Sequence, residues 1–345
     1  MKQLSRTQKL SWIAALGAAL GLIVASFRLP GGDDLYRYYL PFTQGCFDCG
    51  YVPYFAQWVL VPLHLLPSYP LAWPIWTAVC VAGFLALAYV TEVNPFLLMI
   101  SFPMLGQVWL GQVDVLVALG LVIFLFAKNP YVRGIGLILA LTKPQLTGLP
   151  ILFCLLLESP RLWPRLLAGP VLAALLSLFV YGFDWPLRWI TNSTAGLPVH
   201  VWRLASMDIW RFGIFLAPLP LLFREKRQRM LSGLLVSALA TPFYGVYSYV
   251  LFLLFEVKWW TVLLSYAWLL GFFFWREESM RLAWVLPVGM LIQMVMSLRG
   301  RAFRPTLAPP ARAGEQSHGT VNNSSFYHQR FSPQRRGKRR CVPEG

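Results

Sequence analysis

Residues 71–90 read LAWPIWTAVCVAGFLALAYV: twenty positions, none of them charged, with aromatics at Trp73, Trp76, Phe84 and Tyr89. At about 1.5 Å of rise per residue such a run makes a helix of about 30 Å, the thickness of a bilayer's hydrocarbon core. Comparable apolar runs recur on both sides of it, from Trp12 to Leu298. Charged residues make up 13% of the 345 and hydrophobic ones 57%. A soluble domain carries about 25% charged residues, so this chain has half the charge that a water-facing surface requires. The reading is all-α: a polytopic transmembrane helical bundle of about ten to twelve spans.

The formal charge of +16 is distributed in a way that argues against nucleic acid as a partner. Residues 299–345 hold ten Lys/Arg and two Glu, a net of +8. The rest of the excess sits in short connections, as the positive-inside rule describes. These are Lys128 with Arg133, Arg161 with Arg165, and Arg224 to Arg229. With those clusters on the cytoplasmic side, residues 11–27 form an uncleaved first helix running outward, and both termini are cytoplasmic. Residues 28–56 and 183–207 become outer loops of a transmembrane domain spanning 1–298. Residues 299–345, rich in Pro, Gly, Ser and Arg, form a basic disordered cytoplasmic tail. The localisation expected is a multi-pass protein of a bacterial plasma membrane, in contact with membrane lipids.

Two stretches are too short for the path this requires. Residues 134–157 and 230–257 must each cross twice, where two full spans need about 40 residues. Each has breakers at its centre: Thr142-Lys143-Pro144-Gln145 and Thr241-Pro242-Phe243-Tyr244-Gly245. The expectation is a pair of broken helices near the outer face. Irregular backbone at that depth persists only against protein or a water-filled cavity, so both breaks are expected to line one cavity.

Four features carry chemistry. Just past the first helix, Asp33 and Asp34 precede Leu35-Tyr36-Arg37-Tyr38-Tyr39, and a half-desolvated carboxylate there suits general-base work on a hydroxyl. Gln112 and Asp114 lie at a turn between apolar helices, where polar side chains are costly. Lys143 stands between apolar segments, and its ammonium requires an anion, for which a lipid phosphate is one source. The last is the aromatic, proline-rich stretch from Tyr51-Val52-Pro53-Tyr54 to Tyr69-Pro70. Cys46 and Cys49 fit either a small disulfide or half a metal site; with no second such pair and four histidines, no metal is assigned.

The order of these motifs resembles the GT-C superfamily of membrane glycosyltransferases. It is most similar to the bacterial polyprenyl-phosphate-mannose-dependent alpha-1,2-mannosyltransferase family. The residues that carry the resemblance are Asp34 with Tyr38 four positions on, Tyr51-Val52-Pro53-Tyr54, Gly111-Gln112-Val113-Asp114, and Lys143-Pro144-Gln145. The chain departs at Val52, where the family often has proline, and at Asp114, where asparagine is usual. The resemblance implies a polyprenyl-phosphate sugar donor, with mannose or another hexose, and a lipid or glycan acceptor at the outer face. It implies inverting single displacement, with no cofactor and no metal. Asp34 would be the general base, with Asp33 as fallback. Tyr38, Gln112, Asp114, Lys143 and Gln145 would bind substrate, Lys143 taking the donor phosphate. A transporter or lipid flippase, with Lys143 and Asp114 as midplane sites, and a non-catalytic scaffold are the alternatives.

Overall fold

The computed structural model describes residues 5–49, 51–195, 210–241 and 244–302. Residues 196–207 of the second outer loop lie outside that set. So do Pro242 and Phe243 of the second break, and 303–345 of the basic tail. The chain divides into two units, Met1–Arg299 and Gly300–Gly345; the architecture that follows is that of the first.

Among the described residues every regular element is helical. Helix α1 is Arg6–Ser26, α2 is Ala72–Thr91, α3 is Phe102–Leu110, α4 is Asp114–Phe126, α5 is Pro130–Ala140 and α6 is Pro144–Leu156. After these come α7 (Trp163–Tyr181), α8 (Trp185–Ala195), α9 (Lys226–Ala240), α10 (Trp259–Ser265) and α11 (Val285–Ala302), joined by short 3-10, α and π turns. Among the described residues four segments are long and apolar enough to cross a membrane: Arg6–Ser26, Ala72–Thr91, Pro160–Tyr181 and Glu278–Leu298. Their outward faces are apolar, with Ile13, Leu20, Leu175 and Phe179 all exposed. Water disfavours that surface and lipid does not.

Local chemistry places the helix starts. Ser101 caps α3 and Asn129 caps α5 through their side chains, each with a proline in the first turn. Gly111, at φ 70°, ends α3 in the left-handed conformation that glycine adopts at least cost. Lys143-Pro144 starts α6 immediately after α5 ends.

The first of the two short stretches is therefore a broken pair. Helices α5 and α6 have 11 and 13 residues, about 17 and 20 Å at helical rise. They meet at Thr142-Lys143. In the second, α9 stops at Ala240 and the chain resumes in the 3-10 turn Val246–Tyr249. Lys143 and Gln145 at the first break, and Val246 and Tyr247 at the second, line the same cavity.

Small residues draw the backbones together around these breaks. A Cβ on Gly120 of α4 would lie 2.4 Å from the Ala140 nitrogen of α5, and one on Gly136 would lie 2.7 Å from the Gly120 carbonyl oxygen. Helices in lipid associate largely by such close approach. Away from the cavity, Arg133, Glu158 and Lys226 join α5, the end of α6 and the start of α9 in one ion cluster, with the Glu158 carboxylate accepting from both cations.

Gly120→Ala is expected to destabilise the fold by about 1–3 kcal/mol, because the added methyl forces α4 from α5. Gly148→Ala, whose Cβ meets nothing within 4 Å, is expected to leave stability equal or slightly higher. Unfolding in mixed micelles measures both, and equal loss in the two variants would refute the packing argument.

Candidate active site

The site is assembled from the turn after α1, the α3–α4 turn and the two helix breaks. The Gly31-Gly32 segment lies flat on Trp73, with the Gly32 N–H donating to the Trp109 carbonyl at 2.7 Å. A Cβ on Gly32, itself at φ 77°, would overlap the Trp73 ring within 2.7 Å. A Cβ on Gly111 would lie 2.8 Å from that of Leu35. These contacts press the Asp33-Asp34 segment against the end of α3. A single π-helical turn, Leu35–Tyr39, follows and ends with Tyr39 buried, a geometry often found at functional sites.

Gln112 is the hub. Its backbone carbonyl accepts from the Gln107 amide at 2.8 Å and the Trp76 indole at 3.0 Å. Its side-chain Nε2 donates to Asp34 Oδ2. Its Oε1 accepts from Tyr39 Oη at 2.7 Å and from Lys143 Nζ at 2.7 Å. Lys143 also reaches Asp114 Oδ1 at 2.5 Å, and Ser248 donates to Asp114 Oδ2 at 2.6 Å. The Lys143 and Asp114 side chains are 5% and 0% exposed. The rings of Tyr39 and Tyr247 each lie 5.5 Å from the ammonium, close enough for cation–π attraction.

Of these groups Asp34, Tyr39, Lys143 and Tyr247 line a cavity of about 770 Å³. Asp33, Asp34, Arg37, Lys143 and Gln145 contribute its polar lining, and Tyr38, Tyr51, Trp109 and Trp189 its aromatic lining. Phe102, Leu105, Leu110 and Met280 add apolar lining. The Gln145 Oε1 meets no donor among the described residues. Tyr38 packs edge-on against Tyr51 with ring centres 4.8 Å apart. Beside them, Trp189 of α8 donates from its indole to the Tyr51 carbonyl at 3.2 Å. Asn192 of α8 donates to Asp48 at 2.5 Å, and the Cys46–Cys49 disulfide flanks Asp48. The cysteine pair, open in the sequence reading between disulfide and metal site, is thus a disulfide.

Burial pushes the Asp34 carboxyl up to about 6. The Lys143 ammonium opposes the rise, Asp33 and Asp114 add to it, and Arg37 opposes it. A carboxyl with that value changes charge close to neutrality, where a general base works best.

The site residues singled out from the sequence lie in or against this cavity, with three qualifications. Gln112 is fully buried behind the lining and bonds to it through Asp34, Tyr39 and Lys143. Asp114 stands behind the lining and reaches it through Lys143. Asp33 is 54% exposed and bound to Arg37 at 3.0 Å, while Asp34 takes the buried contact with Gln112. The anion that the Lys143 ammonium requires is present within the protein, as Asp114. Sequence reading missed Tyr39, Tyr247 and Ser248. Tyr39 and Tyr247 carried a signal as tyrosines beside a charged motif and a helix break; Ser248, 134 residues from Asp114, carried none. No family model matches the chain, and neither a curated protein nor a solved structure matches it.

Removing one member of a buried ion pair strands the other. Lys143→Met is therefore expected to cost about 3–5 kcal/mol of stability, and adding Asp114→Asn to recover most of it. Thermal unfolding of the two variants decides this; a double variant no more stable than Lys143→Met would show that the pair is not the dominant interaction of either residue.

Proposed function

We propose that this protein is a multi-pass membrane glycosyltransferase of the GT-C kind. It transfers mannose or another hexose from a polyprenyl-phosphate donor to a lipid or glycan acceptor on the extracytoplasmic face. The observation that carries the reading is the Asp34 carboxylate, gripped on one oxygen by Gln112, on a cavity whose lining divides between apolar and polar side chains. An amphiphile with a long hydrocarbon tail and a sugar head matches that division.

In the reaction the second Asp34 oxygen accepts the proton of the acceptor hydroxyl as its oxygen attacks the anomeric carbon. The bond from that carbon to the phosphate oxygen breaks, and the lipid phosphate leaves with the electron pair. One displacement inverts the anomeric centre. Gln112 keeps the carboxylate aimed, and the aromatic walls exclude water that would otherwise compete as acceptor.

The same reading supplies the membrane path. The four long helices cross singly, and short helices such as α5 and α6 pair through their breaks, giving about ten to twelve spans. Arg133, Glu158 and Lys226 meeting in one cluster supports a common cytoplasmic side for the connections they occupy. The Cys46–Cys49 disulfide supports an oxidising, extracytoplasmic setting for residues 28–56.

Asp34→Asn is expected to lower sugar transfer from a radiolabelled polyprenyl-phosphate hexose, in membranes, by about 10²–10⁴-fold. In the wild type the rate should rise with pH through about 6, because the base acts only when ionised and its carboxyl is raised to that value. Asp33→Asn removes a charge that raises Asp34, so the profile should move to lower pH. Full transfer by Asp34→Asn would end the assignment.

A further inference from the structure

Within this reading, the identity of the side chain that holds the anion follows from the charges around the cavity. Three carboxylates, Asp33, Asp34 and Asp114, stand against two cations, Arg37 and Lys143, among the described residues that line the cavity or bond to its lining. Among these described residues a phosphate entering therefore meets no spare positive charge unless one cation changes partner.

The two cations differ in what that change costs. Lys143 has three N–H donors; one is on Asp114 and one on Gln112. Turning it to a ligand uncovers Asp114, which is fully buried and out of reach of water, so the ion pair resists exchange. Arg37 is 68% exposed and its partner Asp33 is 54% exposed. Their contact, through Nε at 3.0 Å one helical turn apart, belongs to the class of surface pairs that add little stability. Asp33 is hydrated as soon as it is released. The guanidinium carries four further N–H groups in a planar fork that matches phosphate geometry. It lines the same cavity as Asp34, Trp109 and Leu110, polar and apolar groups that a charged head attached to an apolar tail would both meet.

We propose that Arg37 is the phosphate-binding residue of this cavity and that Asp33 is its internal competitor, holding the guanidinium until a phosphate replaces it. Lys143 then serves to keep Asp114, Gln112 and Asp34 in place rather than to meet the ligand's charge.

The test uses the full-length protein in phosphatidylcholine nanodiscs, with undecaprenyl phosphate, undecaprenol and inorganic phosphate as probes, read by thermophoresis. Wild type is expected to prefer undecaprenyl phosphate to undecaprenol. Arg37→Gln should weaken undecaprenyl phosphate about tenfold, the loss of a charge-assisted contact, and leave undecaprenol unchanged. Asp33→Asn should tighten undecaprenyl phosphate. Both substitutions fall on exposed side chains, so folding is not at stake. If Arg37→Gln keeps the full preference, or Asp33→Asn weakens it, the assignment of Arg37 is overturned while the lipid-phosphate reading stands. If wild type shows no preference, the lipid-phosphate reading itself fails, and with it this inference. Millimolar inorganic phosphate separates the sources. Arg37-dependent displacement of the lipid assigns the site to phosphate in general, failure to displace assigns it to the lipid headgroup, and either result supports Arg37.

Discussion

Gln112 has one side-chain amide with which to meet two opposite charges, and the site depends on how it divides. The NH₂ end turns to the Asp34 carboxylate and the oxygen to the Lys143 ammonium and the Tyr39 hydroxyl. The reverse orientation would set a carbonyl against a carboxylate and an NH₂ against an ammonium, so the charges fix the amide and the amide fixes the charges. Because its backbone carbonyl is itself held by Gln107 and Trp76, the hub is anchored to α2 and α3 before any ligand arrives. Such preorganisation lets a site act without reorganising during reaction.

The cost of this arrangement is met by the helices around it. A buried ion pair contributes little net stability of its own, and the two helix breaks leave backbone groups that apolar surroundings cannot satisfy. Close glycine contacts at Gly120 and Gly136, and at Gly233 against Pro150, hold α4, α5, α6 and α9 rigidly enough to keep the breaks where they are. The polar residues then occupy a region where irregular backbone and open volume coincide. The geometry of the site and the fold architecture thus share a cause: short apolar helices end at breaks, and residues at those ends line the cavity.

Much of this is legible in the sequence, for identifiable reasons. Charge-free runs such as residues 71–90 announce helices directly. Lys143-Pro144 announces a break, because a proline starts a helix more readily than it continues one. The cost of polar groups in apolar surroundings points to Gln112, Asp114 and Lys143. Pairing across distance does not show. Nothing local says that Lys143 meets Asp114, 29 positions away, or that Ser248 completes the carboxylate's hydrogen bonds. Apolar composition also does not state helix length: the apolar runs outnumber the four described segments long enough to cross, since several helices end after 11 to 13 residues. The disulfide, left open by spacing alone, is decided by the turn that brings the Cα atoms of Cys46 and Cys49 to 5.4 Å.

The end of α3 and the second helix break close on the same cavity as Asp34. A Cβ on Gly106 would lie 3.2 Å from that of Tyr247, near the separation a disulfide bridges. Paired cysteines at these two positions, oxidised in native membranes and counted by maleimide blocking, are expected to cross-link nearly completely. Two thiols that stay fully reactive under the same oxidation would show that the segments do not meet, and the site as described would not exist.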